Sequence, residues 1–448
     1  MYIMYAEKST EDIAVQSYNS NTDQWSNLPS TGINSNTAGF FINMVIDKVN
    51  GNLYVLYLDG VKASVKKYSI LAPVNQAIAY VNENSPNASG NGSSWANANP
   101  SLKNTLENLG SLTTEIWIAK GTYKPSVTDR NESFNLFSNN NLKIYGGFAG
   151  TETAIQQRNI AMNPTILSGD LNGDDAGAIS FSNPTTTDNT YNIIKISVED
   201  VELNGITIAN GNANGANSNE QEGSAITIMP SVRKFILKNS TIENNINKRA
   251  GTIKAIDGSG DISISFLNTI FKNNLSAFST VFYSRPSRNR TLNFNSVNNL
   301  YENNKVDNVN GSGVMWFRND YSNCTINATF INDTFVDNSF NRVPSSGNDV
   351  PVIDVGQTSG TITVSVSNSI FWNNTNGNGN ITNAIGRNGN NAYPELAKML
   401  VSNSLDSDDF SKVTFKQNIE TGDPLFTSAT DFSLQLNSPA INTGDNAK

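Results

Sequence analysis

The sequence predicts an all-β protein: mostly a right-handed parallel β-helix with about three short strands per coil, a short N-terminal capping helix and, ahead of it, a partial β-propeller-like blade. Three observations carry this expectation. One phrase recurs five times: Asn, two residues, then Ile, Phe or Tyr, one residue, and Asn-Asn or Asp-Asn. It starts at Asn239, Asn268, Asn298, Asn332 and Asn368, which are 29, 30, 34 and 36 residues apart. Repetition at such a period marks a solenoid whose units bury a core only by stacking. Inside one period the apolar residues alternate with period two, over 251–256, 261–266 and 268–271, in short runs divided by Gly, Ser and Asn. That is strand patterning rather than helix patterning. Asn, finally, suits coil corners, because it tolerates left-handed backbone angles, bonds to nearby backbone and ladders on itself when coils stack. Corner chemistry therefore accounts for the Asn residues, and the Ile, Phe or Tyr of each phrase is expected to stack inside.

Taken in order, residues 1–5 and 53–57 are near copies, each followed by a polar turn and a second strand ending in Tyr18 or Tyr68. A period of about 50 residues with this rhythm looks like a propeller blade. One blade cannot close a ring, so residues 1–72 read as a partial blade, the remnant of a neighbouring domain or a cap built from one. Residues 71–76 contain Pro73 and read as a linker. The β-helix is assigned to 73–448. Its N-terminal cap spans 78–125: a strand, a loop rich in Asn, Gly and Ser, and a helix over 99–109. Pro100 lies in the helix's first turn, with Leu102, Leu106 and Leu109 on one face. Such a helix covers the open end of a solenoid core.

Several stretches also carry a resemblance. Tyr80-Val-Asn82, Gly92-Ser-Ser-Trp95, Ile116-Trp-Ile-Ala-Lys-Gly-Thr-Tyr-Lys-Pro125, Ile144-Tyr-Gly-Gly-Phe148, Leu167-Ser-Gly-Asp-Leu-Asn-Gly-Asp174 and the Asn phrases resemble the secreted or cell-surface parallel β-helix proteins of Bacteroidota with polymorphic-outer-membrane-protein-type repeats. A closing segment at 423–446, with Asp423-Pro-Leu-Phe426, is similar to the choice-of-anchor segment of that group. The resemblance covers about residues 78–446. It implies a surface location and a further sorting or anchoring domain outside this sequence, within a larger multidomain surface protein.

Composition limits the chemistry. Thirty Lys and Arg against 39 Asp and Glu leave a net charge of −9, so there is no broad electrostatic footprint for nucleic acid or an anionic membrane. The single Cys, Cys324, allows no intrachain disulfide, and the absence of His removes the commonest near-neutral acid-base group. No apolar run is long enough for a transmembrane helix, and the N-terminus lacks a basic-then-apolar leader. An export signal is expected outside this chain.

Two candidate sites follow. Asp170, Asn172 and Asp174 place oxygens at the first, third and fifth positions of a loop, the spacing with which a chain wraps Ca2+. Asp175 stands where an EF-hand has Gly, and Asn172-Gly173 is also an ordinary turn pair, so the loop reads either as a calcium site or as a turn without a cofactor. The second site depends on register. If residues 251–256, 279–283, 313–318 and 350–355 are one strand in successive coils, Ile253, Phe282, Met315 and Ile353 face inward, while Lys254, Tyr283, Trp316, Arg318 and Asp354 form an outer strip. Aromatic rings flanked by charges suit a polysaccharide or cell-surface glycan, with Lys or Arg meeting uronate carboxylates. The expected function is an adhesion or structural module that binds glycan. The alternative is a polysaccharide lyase using Lys254, Tyr283 or Arg318 as base.

Overall fold

The computed structural model describes residues 76–445 except 250, 257, 259, 287–288, 342–351, 358, 387–396, 408–409 and 442, together with six strands between residues 2 and 69. The chain divides into two compact units, Met1–Pro73 and Val74–Lys448. In the first unit, Tyr2–Ala6 pairs antiparallel with Ile13–Asn19, and Asn52–Asp59 pairs antiparallel with Lys62–Ser69. The two near copies of the sequence thus open the same kind of hairpin. Gln24–Asn27 extends the first pair and Asn43–Asp47 the second. Residues 71–75 of the expected linker lie outside the described residues.

The second unit is a parallel β-helix. One coil runs through Ile262–Leu267, Ile270–Lys272, the two-residue Leu275–Ser276 and Phe282–Ser284. The next strand, Thr291–Val297, lies parallel on Ile262–Leu267. Among the described residues, the five coils that run from Asp200–Asn204 to Ile353–Gln357 contribute three principal strands and a minimal one between the second and third, the coils before and after them lack the minimal strand, and stacking builds four parallel sheets. The first two sheets fuse near the end, where Ala397–Asp406 pairs with both Thr361–Ser367 and Ile370–Trp372.

Strand alternation supplies the core. In Thr291–Val297, residues Leu292, Phe294 and Ser296 are buried and the residues between them are not. The apolar residue of each phrase falls in register with the next, Ile242, Phe271, Tyr301, Phe335 and Phe371, and all are buried. The last four rings stack almost parallel, with centroids 4.9, 4.3 and 4.6 Å apart and interplanar angles of 5, 9 and 6°. These separations match the spacing of adjacent strands, so each ring repeats the one below it.

The corners divide the Asn residues by role. The first Asn of each phrase is left-handed, with φ of 50° at Asn239, 50° at Asn268 and 58° at Asn298. The first of each closing pair is left-handed too, as at Asn273 (φ 54°) and Asn303 (φ 48°). The buried ladder belongs to the second of the pair. Asn274 donates through Nδ2 to Asn304 Oδ1 at 2.9 Å, Asn304 to Asn338 at 3.0 Å and Asn338 to Asn374 at 2.8 Å. Each also donates to a backbone carbonyl one coil back, as Asn304 does to Phe271. The carboxamide thus bonds the neighbouring coils on either side, which is why the pair needs two different asparagines.

The capping helix is shorter than expected, Leu102–Glu107, with Ser101 as N-cap accepting from the Asn104 N–H. Pro100 falls before the cap, because a Ser hydroxyl can satisfy an end N–H that a Pro ring cannot. Leu102 and Leu106 are buried in the main core, and half-buried Leu109 packs against it. Trp117, Tyr145 and Phe148 form a second cluster with Tyr80 and Trp95, Trp117 lying on Phe148 at 4.7 Å. Most aromatic residues of the resembling stretches have this packing role.

Candidate functional site

The register anticipated for the fourth sheet is present. Ile253, Phe282, Met315 and Ile353 are successive partners and all are fully buried. Lys254, Tyr283, Trp316 and Asp354 are successive partners on the opposite face, and Arg318 stands two residues beyond Trp316, opposite Gly356. Lys254, Tyr283, Trp316 and Arg318 are each half-buried. The rings of Tyr283 and Trp316 meet at 4.8 Å with a 32° tilt. Trp316 leans over Gly356, where an added Cβ would come 3.0 Å from its Nε1. The Arg318 guanidinium lies 5.7 Å from the Trp316 ring, within cation-π range.

Asp354 departs from expectation. It holds its place in the row but is fully buried, so its carboxylate does not belong to the surface that a ligand would touch. Outward orientation in a strand guarantees only that a side chain leaves the core, and neighbouring chain can still cover it.

Carboxylates that the sequence reading did not place there arrive from adjacent segments. Lys254 Nζ is ion-paired with Glu222 Oε2, and Arg249 approaches the other oxygen at 3.5 Å. Glu222 is itself buried. Asp320 Oδ2 receives both Arg285 Nη2 and Arg318 Nε at 2.7 Å. Four cations thus share two carboxylates in these ion pairs, and buried Asp354 lies alongside. The signal for Glu222 was its distance of one coil from Lys254. Asp320 follows Arg318 by two residues, just beyond the end of the same strand.

The aspartate loop lies between the strands Thr165–Ser168 and Ile194–Ile196. Asp170 and Asp174 come together there, joined by Asp175, with one oxygen of each within 4.8 Å of the others. Asp170 is buried and its carboxylate accepts the N–H groups of Gly173, Asp174 and Asp175 at 2.5, 3.3 and 3.3 Å. Asn172 is exposed, and its N–H donates to Asp188 Oδ2 at 2.9 Å. Burial, with Asp170, Asp188 and Asp174 nearby, pushes the Asp175 carboxyl up to about 6.

A cleft of about 690 Å³ also opens on the outer face of the first sheet, at its C-terminal end. It is lined by Thr329, Ser365, Ser402, Gln417 and the exposed ring of Phe415, with residues 443–445 along its rim. Nothing in the repeat pattern marked this cleft, because it arises where the closing segment comes back over the sheet and Asn368 bonds Asp445 at 2.8 and 3.0 Å.

Comparison with protein-family models, curated proteins and solved structures finds no match to this chain.

Proposed function

We propose that this chain is a non-catalytic β-solenoid of the cell surface or extracellular space. Its role would be adhesive or structural, and it would bind an acidic polysaccharide along the outer face of the fourth sheet. The observation that carries the reading is the Tyr283–Trp316 pair set among four cations that share two ion-paired carboxylates. On a chain of net charge −9, this leaves cations in slight excess over carboxylates, Asp354 included, beside two half-buried aromatic rings. Because each ring spends one face on the other, a polymer would meet their outer edges and polar tips. The guanidinium groups of Arg285 and Arg318 would contact carboxylate or sulfate groups.

The low fraction of charge elsewhere suits a stalk, since stacked coils are held by ladders rather than by surface ion pairs. Lys254 is engaged by Glu222, which favours binding over its use as a lyase base.

Titration of the purified chain with alginate, pectin and chondroitin sulfate tests the proposal, with binding read by affinity electrophoresis and unsaturated product by absorbance. Trp316→Ala is expected to weaken retention on the preferred polymer about tenfold, the worth of one good aromatic contact. Added salt should weaken it further. No retention on any acidic polymer, or retention unchanged by Trp316→Ala, would remove the site. Product formation abolished by Lys254→Ala or Tyr283→Phe would replace binding with lyase activity.

A further inference from the structure

The excursion between Thr165–Ser168 and Ile194–Ile196 holds a group of oxygens that its own hydrogen bonds do not complete. Oxygens that share one calcium ion at about 2.3–2.6 Å stand no more than about 5 Å apart. One oxygen each from Asp170, Asp174 and Asp175 meets that limit, all lying within 4.8 Å of one another. The ion pairs of the described residues lie elsewhere. The nearby ammonium of Lys124 donates to the Leu171 carbonyl at 3.1 Å.

An independent observation comes from the far side of the excursion. Asn189 is 1% exposed, and its Nδ2 reaches Asp175 Oδ2 at 2.8 Å, so its carboxamide is seated against the aspartates. Its Oδ1 has no hydrogen-bond donor, and neither has Asp175 Oδ1, although both atoms are closed to solvent. These two buried acceptors, one on Asp175 itself and one on the adjoining Asn189, have no protein donor, and with the carboxylates of Asp170 and Asp174 they form a set of oxygens that a hard cation can complete.

We infer that Asp170, Asp174 and Asp175, with the Asn189 carbonyl, bind one Ca2+. Calcium suits the set better than magnesium, which demands a tight octahedron and gives up its waters reluctantly. One buried, one half-buried and one exposed carboxylate on a Gly-containing loop can instead close around the larger ion with water filling the remaining positions. Asn172 is not part of the proposed set; it is exposed, and its backbone N–H donates to Asp188. The ion would tie the loop at 170–175 to the turn Pro184–Thr187 and Asn189, fixing an excursion that strand pairing does not hold.

The test uses the full chain, stripped with EDTA and dialysed. Calorimetric titration with CaCl2 is expected to show one ion per chain with a dissociation constant at or below about millimolar, and calcium should raise the melting temperature. Asp174→Ala alters an exposed side chain, so it should keep the native circular dichroism while weakening calcium at least about tenfold. Asn172→Ala should leave the affinity within about twofold. No calcium heat and no melting shift at about 10 mM would overturn the assignment, as would unchanged affinity in Asp174→Ala or equal affinity for Mg2+.

Discussion

The two asparagines that close each phrase look equivalent in sequence and are not. Asn273 is half-buried and holds a left-handed backbone, whereas Asn274 is fully buried and bonds the coils on both sides. Asn273→Gly should therefore be nearly neutral, and Asn273→Ala should cost about 1–2 kcal/mol through the left-handed penalty. Asn274→Ala should cost about 1–3 kcal/mol because it strands buried partners. Denaturant midpoints of the three variants give the order, and a larger loss in Asn273→Gly than in Asn274→Ala would contradict it. The residue after each opening Asn is buried as well. Thr269 N–H donates to Asn299 Oδ1, Asn299 N–H to Asp333 Oδ1 and Asp333 N–H to Ser369 Oγ, at 2.8, 2.8 and 3.2 Å. Asp333 is the acid in this ladder, and burial pushes its carboxyl up to about 7 from 3.8. A carboxyl raised on folding leaves the native state binding more protons than the unfolded chain. Its ionisation therefore costs stability progressively as pH rises from about 4 to about 7, and nothing further above that. The cost is at most on the order of 4 kcal/mol. Asp333→Asn keeps the shape without the charge, so it should remove this decline. Parallel stability curves for the wild type and Asp333→Asn from pH 4 to 8 would show that Asp333 titrates normally.

At the scale of the element, the second sheet is a row of strands three or four residues long, and each of its later strands places one ring over the last. Phe335 lies between Tyr301 and Phe371 and also touches Phe330. Removing it opens a cavity in a thin core whose walls are held by ladders, so Phe335→Ala should cost about 3–5 kcal/mol. Trp316 belongs to the outer face of the fourth sheet, and Trp316→Ala should cost about 1 kcal/mol or less. If thermal melts place Trp316→Ala below Phe335→Ala, the alternation of that strand is reversed. Tyr301 shows how an internal ring carries a polar atom at small cost, since its hydroxyl bonds Ser296 at 2.7 Å.

At the scale of the β-helix unit, each coil touches mainly its neighbours, so stability is close to a sum of coil and interface contributions. The ends are the exception, because a last coil has no partner for its ladder. The helix Leu102–Glu107 packs against Ile78–Val81 and Phe134–Leu136 near the start. Near the other end, Phe426 meets Phe432 edge to face at 5.2 Å, and the segment that follows bonds Asn368. Between the ends, charge is arranged locally. Glu243 and Lys272 are register partners on successive strands, whereas Glu222 reaches Lys254 from the loop ahead of Ile226–Ile228, so the strip's electrostatics are set by local pairings and not by the net charge of −9.

The period of the Asn phrase, the alternation around it and the inward ring determined the parallel β-helix and the register of Lys254, Tyr283 and Trp316 from sequence alone. These features are local and repeat at fixed offsets, and one coil dictates the next. Contacts that depend on segments between the repeats were decided only in three dimensions. The placing of Glu222 against Lys254, the cleft rimmed by residues 443–445 and the seating of Asn189 on Asp175 all involve segments outside the repeated strands. A loop that leaves a strand obeys no period of two, so what it covers or completes is set by where stacking brings its ends.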